Sequence, residues 1–195
     1  MNVIFLDFDG VLYTAHGSSN EDIERRIKTL GDICHEYDCK VVIEASGKEA
    51  MDEEFYPNWL QFIFDCFKKY EIECIGRTPC IRKYINEYTY TDVWKDDEIR
   101  LYLFRHPEIE HYCVIDDDDL APHNSDLDKV RPHLVTPIDY SKKPEEEGLL
   151  ESHISEVGEA LKLDNEVRKL SLRRKKWKMY LWWLEKPSLI IVLAC

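Results

Sequence analysis

The sequence predicts an α/β protein built on a doubly wound, Rossmann-like parallel sheet of five strands. Short apolar runs rich in β-branched residues alternate along the chain with stretches of helical periodicity. Acidic or polar residues follow directly on several of these apolar runs. Continuous apolar runs are typical of strands buried on both faces, and the ligands of such sheets lie beyond the carboxyl ends of the strands. We therefore expect the strand order 3-2-1-4-5, with a candidate site at that edge.

The first predicted strand begins at Val3 and runs into Asp7-Phe8-Asp9-Gly10-Val11-Leu12. Side chains alternate along a strand, so Asp7 and Asp9 begin on the same side of the sheet. Gly10 allows the backbone to leave the strand tightly. Two carboxylates this close repel each other unless a cation or a shared proton intervenes. A solvated acidic turn after a core strand is the alternative interpretation.

The other predicted elements follow from apolar spacing and from helix signals. Ser19, with Asp22 three positions on, resembles a capping box that opens a helix ending near Tyr37. Residues 80–94 fit no strong periodicity, and we expect either a small insertion over the site or a packed surface loop. The remaining elements are strand 40–45, helix 58–70, strand 71–76, a helix from Lys95 to His106, strand 111–115, strand 133–136 and helix 148–163.

The string Asp-Phe-Asp-Gly-Val-Leu after an apolar strand resembles motif I of the haloacid dehalogenase-like (HAD) phosphohydrolases. The resemblance implies that Asp7 is the nucleophile and Asp9 the general acid and base. It also implies a motif II phosphate contact from Ser46 and Gly47, which end the second strand. Asp116 to Asp119 end the fourth strand. They resemble motif IV, with Asp117 as a direct metal ligand and Asp116 either beside it or one layer behind it. A solvated acidic turn is the alternative interpretation.

Motif III, a basic residue, is harder to place. In a HAD subgroup associated with RNA-repair proteins, a basic residue stands just before a Glu-Ile helix start, which implies Lys95. A solvated lysine is the alternative, and Lys48, Arg77 and Arg82 are rival cations. Relatives often read Ser-Ser-Trp-Arg where this chain reads Ala-Ser-Gly-Lys. That departure leaves open whether Lys48 helps to bind phosphate.

The resemblance implies a phosphomonoester hydrolase that is Mg²⁺-dependent and works through an aspartyl-phosphate. Its metal ligands would be Asp7, the Asp9 backbone carbonyl, Asp116 and Asp117. Ser46, Gly47 and Lys95 would bind the phosphate. An acid at position 9 favours phosphotransfer over the dehalogenase branch of the family.

The first loop is too short for a cap domain and the second leaves little room for one, so we expect little or no cap. Members built this way tend to take large substrates, and a phosphoprotein is therefore expected. Tyr84, Tyr88 and Trp94 favour phosphotyrosine because aromatic rings can stack on the substrate ring. The alternatives are a polynucleotide end phosphatase and a catalytically silent HAD-fold binding module tethered to a membrane by its tail.

The chain is divided by charge. Its net charge is −13, but residues 166–186 carry eight basic and two acidic residues, leaving 18 basic and 37 acidic residues elsewhere. We predict a HAD-like phosphatase domain over residues 1–163 and a basic amphipathic helical tail over residues 164–195. The acidic body argues against a nucleic-acid partner, because phosphate backbones require a positive surface.

The predicted tail has a basic face and a face of Trp and Leu residues. A basic amphipathic helix of this kind indicates contact with an anionic membrane surface through residues 168–184. A face that packs on its own domain, or on a second subunit in a homodimer, is the alternative. The apolar end, Leu189–Cys195, suggests a fragment of a longer chain.

Sequence signals also bear on location. Seven cysteines without metal-ligand spacing and without a signal peptide suit a reducing compartment. No apolar run approaches the ~20 residues needed to span a bilayer. We expect a cytoplasmic protein, with peripheral membrane association through the tail.

Overall fold

The computed structural model of the protein describes residues 1–54, 56–86, 89–92, 95–117, 134–135, 141–162 and 191–193. These residues form two compact units. In chain order the elements are β1 (Asn2–Leu6), α1 (Asn20–Tyr37), β2 (Cys39–Ile43), α2 (Asn58–Lys69), β3 (Cys74–Arg77), β4 (Ile81–Asn86), β5 (Thr89–Asp92), α3 (Lys95–Arg105), β6 (His111–Ile115), β7 (Leu134–Val135), α4 (His153–Lys162) and β8 (Ile191–Leu193). Two short 3-10 helices cover Lys48–Asp52 and Pro144–Glu146.

The first unit is an α/β fold around a parallel sheet. Its strands lie in the order β3-β2-β1-β6, and all three of these pairings are parallel. This confirms the predicted fold class and the order of the first four strands. The strand β1 is buried from Val3 to Leu6, which explains its uninterrupted apolar sequence.

A two-residue strand, β7, pairs in parallel with β6 at Val114 and Ile115. The rest of the predicted fifth strand, and the predicted C-terminal amphipathic helix, lie outside the described residues. Both therefore stay predictions, as does the division into a domain over 1–163 and a tail over 164–195.

The helix α1 is amphipathic and begins where the sequence predicts. The Ser19 hydroxyl accepts a hydrogen bond from the Asp22 amide at 3.2 Å, which is the N-cap. Ile23, Ile27 and Leu30 then recur at helical spacing and are buried in the core. The apolar face that this spacing predicts is confirmed.

A buried arginine on α1 fixes the loop that follows β1. Arg26 is fully buried and donates hydrogen bonds to the carbonyl oxygens of Leu12, at 2.7 Å, and Glu147, at 3.1 Å. It also donates to the Gly17 carbonyl and, at 3.1 Å, to the Thr14 hydroxyl. One side chain thus holds the segment just after the Asp-Phe-Asp-Gly string.

The described part of the second unit comprises residues 78–86, 89–92, 95–107 and 191–193. Here β4 pairs antiparallel with β5 and with β8. The helix α3 is tied to β4 by a hydrogen bond from the Ile81 amide to the Glu98 carboxylate at 2.7 Å.

The described part of residues 80–94 thus contains two strands that the sequence pattern did not predict. The choice between a small insertion over the site and a packed surface loop stays a prediction. The strand β4 reads Ile-Arg-Lys-Tyr-Ile-Asn and β5 reads Thr-Tyr-Thr-Asp, and neither has the continuous apolar run or the clean apolar–polar alternation that predicts a strand. The sequence pattern predicts little or no cap domain, and it does not predict this second unit. The expectation of little or no cap stays a prediction. Among the described residues, no helix combines the length and apolar character needed to cross a membrane.

Candidate functional site

Strand register brings three acidic residues to one level at the carboxyl edge of the sheet. Leu6 lies opposite Ile43 on β2 and opposite Ile115 on β6. The residues that follow these three positions are Asp7, Glu44 and Asp116. The ladder continues through them: the Asp7 amide donates to the Ile115 carbonyl at 2.9 Å, and the Glu44 amide donates to the Leu6 carbonyl at 2.8 Å. The acids therefore lie on adjacent strands, side by side.

All three acids are withdrawn from solvent. Asp7 is 3% exposed, and Glu44 and Asp116 are each 0% exposed. The Phe8 amide donates a hydrogen bond to Asp7 Oδ1 at 2.8 Å, which fixes the orientation of that carboxylate. Burying like charges together is costly unless something of opposite charge accompanies them.

Asp7, Asp116 and Asp117 form a set of carboxylates that fits a metal ion. One oxygen from each lies within 4.8 Å of the other two. Three carboxylate oxygens are the donors that hard divalent cations prefer, and Mg²⁺ is commonly held by carboxylates and waters. Asp7, Asp116 and Asp117 are residues that the sequence analysis expected to share such an ion.

Asp9 is positioned differently from Asp7. Its side chain is exposed, and its backbone pairs with Tyr13 in a tight turn. The Gly10 amide donates to the Tyr13 carbonyl at 2.6 Å, and Gly10 has a φ of 73°, a conformation that favours glycine. Burial and the negative charge of Asp9 raise the pKa of the Tyr13 hydroxyl, so Tyr13 stays protonated at neutral pH.

Ser46 and Gly47 lie at the end of β2, beside the acidic edge. Both are exposed, and the chain turns there into the 3-10 helix that begins at Lys48. Gly47 has a φ of 76°, so this turn also favours glycine. Lys48 is 6% exposed, and its Nζ lies 3.0 Å from Oε1 of Glu44.

The sequence of the chain matches a known protein family. The family described as HAD domain in Swiss Army Knife RNA repair proteins matches residues 3–140 of the chain. The chain belongs to this family. No curated protein and no solved structure gave a match. The resemblance to HAD proteins is thereby confirmed, and membership supports a hydrolase of the phosphatase type in general.

The basic residues considered for motif III have different environments in this HAD domain. Arg77 forms an ion pair with Asp52, with Nε 3.2 Å from Oδ1. Lys95 is the first residue of α3, which belongs to the second unit, whereas the three acids belong to the first unit. The side chain of Arg82 lies outside the described residues. The assignment of motif III to Lys95 stays a prediction.

The aromatic residues proposed as substrate contacts are not placed by the described residues. Tyr84 belongs to β4, but its side chain is outside the described part, as are Tyr88 and Trp94. Their role stays a prediction.

Glu44 is the residue of this HAD domain that the sequence analysis passed over. The sequence pattern places it inside the predicted strand 40–45 and assigns it no role in the site. The sequence signal that could have indicated a role for Glu44 was Lys48, four positions later, because a Glu and a Lys at this spacing can form an ion pair. A Glu-Lys pair is far more often exposed than buried, so the signal alone gives little reason to choose it.

Proposed function

We propose that this HAD domain is a Mg²⁺-dependent phosphomonoester hydrolase that forms an aspartyl-phosphate on Asp7. The observation that supports this proposal most is the convergence of Asp7, Asp116 and Asp117 at the carboxyl edge of the sheet. A group of three carboxylates, two of them buried and Asp117 half-buried, suits a cation, and a cation beside a carboxylate suits a phosphorylated substrate.

In the proposed first step, an Asp7 oxygen attacks the phosphorus in line with the leaving oxygen. A carboxylate nucleophile divides phosphoryl transfer into two steps through a covalent intermediate. The hydrogen bond from the Phe8 amide would orient the carboxylate for this attack. Asp9, which is exposed, would donate a proton to the leaving oxygen.

In the second step, Asp9 would take a proton from the water that attacks the aspartyl-phosphate. This returns Asp7 to its free form and releases inorganic phosphate. The Ser46 hydroxyl and the Gly47 amide would donate hydrogen bonds to the phosphoryl oxygens. Asp7, Asp116, Asp117 and the Asp9 backbone carbonyl would hold Mg²⁺, whose contribution when bound is to neutralise charge on the phosphoryl group.

We propose two substrate classes. A phosphoprotein, with phosphotyrosine favoured, follows from the expected open site and from Tyr84, Tyr88 and Trp94. A phosphate at a polynucleotide end is the second candidate, and it is favoured by the family's association with RNA-repair proteins. The net charge of −13 disfavours the polynucleotide, because its phosphate backbone would be repelled.

The test is hydrolysis of an aryl phosphate with and without Mg²⁺, by the wild type and by the Asp7→Asn variant. We expect activity that requires Mg²⁺ and is lost in Asp7→Asn. Asp32→Asn, an exposed acid on α1, is the matched control and should remain active. Undiminished hydrolysis by Asp7→Asn would exclude Asp7 as the nucleophile.

A panel of phosphopeptides and 3′-phosphorylated oligonucleotides then separates the two substrate classes. Preference for phosphotyrosine peptides would support the first, and preference for the oligonucleotides the second. Absence of hydrolysis with every substrate would favour the non-catalytic binding module.

We also propose that residues 168–184 bind an anionic membrane surface. The charge of this segment supports the proposal, because each basic residue near an anionic leaflet contributes about 1 kcal/mol. Flotation with vesicles containing phosphatidylserine should carry the wild type, and neutralising Arg173 to Lys176 should abolish it. Equal flotation of both proteins would favour packing of the tail on the protein itself or in a homodimer.

A further inference from the structure

We propose that Lys48, positioned by Glu44, is the cation that contacts the phosphoryl oxygens in this site. This inference rests on the proposed function and gives the motif III role to a residue of the first unit, in place of Lys95. Lys48 would be a catalytic residue because it touches the substrate. Glu44 would be a positioning residue because it acts only through Lys48.

Strand register places the Glu44–Lys48 pair beside the nucleophile. Glu44 follows Ile43 as Asp7 follows Leu6, and these two strand residues are register partners. Adjacent strands lie about 4.8 Å apart, and neighbouring residues in register point to the same face. Lys48 Nζ lies 3.0 Å from Glu44 Oε1, so the lysine ammonium is paired with the residue that neighbours Asp7 across the β1–β2 pairing.

The local fold directs Lys48 back toward this edge. Gly47 adopts a φ of 76°, and the Lys48 amide donates to the Ala45 carbonyl at 3.2 Å. These features reverse the chain directly after β2. As a result, Ser46 and Gly47 stay exposed while the Lys48 side chain is 6% exposed. The proposed phosphate-binding hydroxyl and amide and the lysine thus come from one turn.

The energetics of a buried pair also argue for a functional role. Removing a lysine and a glutamate from water costs free energy that their attraction only partly recovers, and an apolar pair of similar size is often at least as stable. Glu44 is 0% exposed, and it adds a third negative charge to the buried row formed by Asp7, Glu44 and Asp116. If the Glu44–Lys48 pair served only stability, an apolar pair would serve at least as well. A cation held rigidly beside a phosphoryl site gives a reason to keep the pair.

The competing cation on the neighbouring strand faces a different partner. Arg77, at the end of β3, pairs with Asp52, whose side chain is half exposed. That pair contains an acid outside the buried row. Lys48, by contrast, is paired with Glu44, which lies beside Asp7 at the edge of the sheet.

A purely structural pair is the competing explanation, and paired substitutions distinguish it. Replacing Lys48 alone by Met leaves Glu44 buried without this partner, so stability falls whichever explanation holds. In the double variant Glu44→Gln/Lys48→Met neither charge remains. We therefore expect the double variant to recover most of the lost stability in urea unfolding but none of the lost activity. Recovery of both would overturn the proposal.

The functional readouts are hydrolysis of an aryl phosphate and binding of inorganic phosphate in Mg²⁺, measured by calorimetry. We expect Lys48→Met to lower kcat by about 10²- to 10³-fold, as does loss of other groups that stabilise a transition-state charge. Phosphate affinity should fall by at least about tenfold, since a charge-assisted contact is lost. Lys48→Arg, which keeps the charge, should retain more activity than Lys48→Met.

Glu44→Gln tests positioning. Its amide oxygen can still accept a hydrogen bond from Lys48, but the charge that holds the ammonium is gone. We expect kcat to fall by about tenfold while KM changes little, and we expect no further loss when Glu44→Gln is added to Lys48→Met. Independent, multiplying losses would show that Glu44 does not act through Lys48.

Lys28→Met, an exposed change on α1, is the matched control. Lys95→Met tests the rival assignment, and the outcomes separate this inference from the proposed function. If the wild type is active and Lys48→Met matches it in activity and phosphate binding, the inference fails and the proposed function stands. If the wild type hydrolyses nothing but binds phosphate through Lys48, the proposed function fails and the inference stands. Loss of phosphate binding in Lys95→Met but not in Lys48→Met would return the role to Lys95. A wild type that neither binds phosphate nor hydrolyses phosphomonoesters would overturn both.

Discussion

The backbone amide of Asp7 donates a 2.9 Å hydrogen bond to the carbonyl oxygen of Ile115. Strands β1 and β6 therefore stay paired at the position where Asp7 and Asp116 leave the sheet. Because the backbone holds the two acids side by side, their side chains have little freedom to separate. The fold therefore keeps the two carboxylates near each other, where they repel, and a bound cation would reduce this repulsion.

Relief of that repulsion predicts that Asp7→Asn stabilises the protein when no divalent ion is present. The amide keeps the shape of the carboxylate and removes one charge from a buried group. We expect the free energy of unfolding in EDTA to rise by about 1 kcal/mol, and urea titration measures it. The exposed control Asp32→Asn should change it by less than about 0.5 kcal/mol. A fall in stability in Asp7→Asn would indicate that the carboxylates do not repel one another.

Mg²⁺ should stabilise the wild type, because it binds a site that the unfolded chain lacks. At about 100 times its dissociation constant the gain is about 2.7 kcal/mol, which thermal unfolding detects as a higher Tm. Asp117→Asn should lose most of this gain, since it removes one of the three negative charges that attract the cation. Equal Mg²⁺ stabilisation of the wild type and Asp117→Asn would place the ion elsewhere.

Arg26 should contribute strongly to stability. Its side chain is fully buried and hydrogen-bonds to Leu12, Thr14, Gly17 and Glu147. Arg26→Met would leave several buried acceptors without these donors, and we expect a loss of at least about 3 kcal/mol in urea unfolding. Lys28→Met, an exposed change on the same helix, should cost under about 0.5 kcal/mol. Similar effects of the two changes would exclude Arg26 as an anchor of the loop.

His153 should make stability depend on pH. Burial lowers the pKa of this imidazole below its ordinary 6.5, against the opposing effect of Glu156, and Lys142 adds to the lowering. The neutral ring also accepts a hydrogen bond from the Leu150 amide at 3.1 Å. Because the unfolded chain takes up this proton more readily, the stability contribution is complete above pH 6.5 and is lost as pH falls through the lower folded pKa.

Urea midpoints at about pH 7.5 and about pH 5.5 measure this effect. His153→Asn, which keeps an acceptor but does not titrate, should lose less stability between the two pH values than the wild type. His35→Asn, an exposed change on α1, should behave like the wild type. Equal losses in the wild type and His153→Asn would exclude His153 as the source.

The sequence predicted those parts of the site that depend only on where the strands end. Asp7 and Asp116 each follow a short apolar run, and parallel strands end at one edge, so their proximity follows from the fold class. The capping role of Ser19 was also predicted, because a helix N-cap depends only on neighbouring residues.

Glu44 and Lys48 were harder to predict because their burial depends on the turn at Gly47. A Glu-Lys pair in a sequence has no mark that separates a buried pair from a solvated one. The strands β4 and β5 were not predicted because charged and polar residues interrupt their apolar pattern. The position of Lys95 relative to the acids cannot be read from local pattern, because it depends on how separate units of the chain pack.

The proposed mechanism requires that Asp7 becomes phosphorylated during turnover. The most direct test is a rapid acid quench with a ³²P-labelled aryl phosphate in Mg²⁺, followed by mapping of the labelled peptide. We predict acid-stable, hydroxylamine-labile label on Asp7 of the wild type and none on Asp7→Asn. Turnover without labelled Asp7, or label on another residue, would exclude Asp7 as the nucleophile.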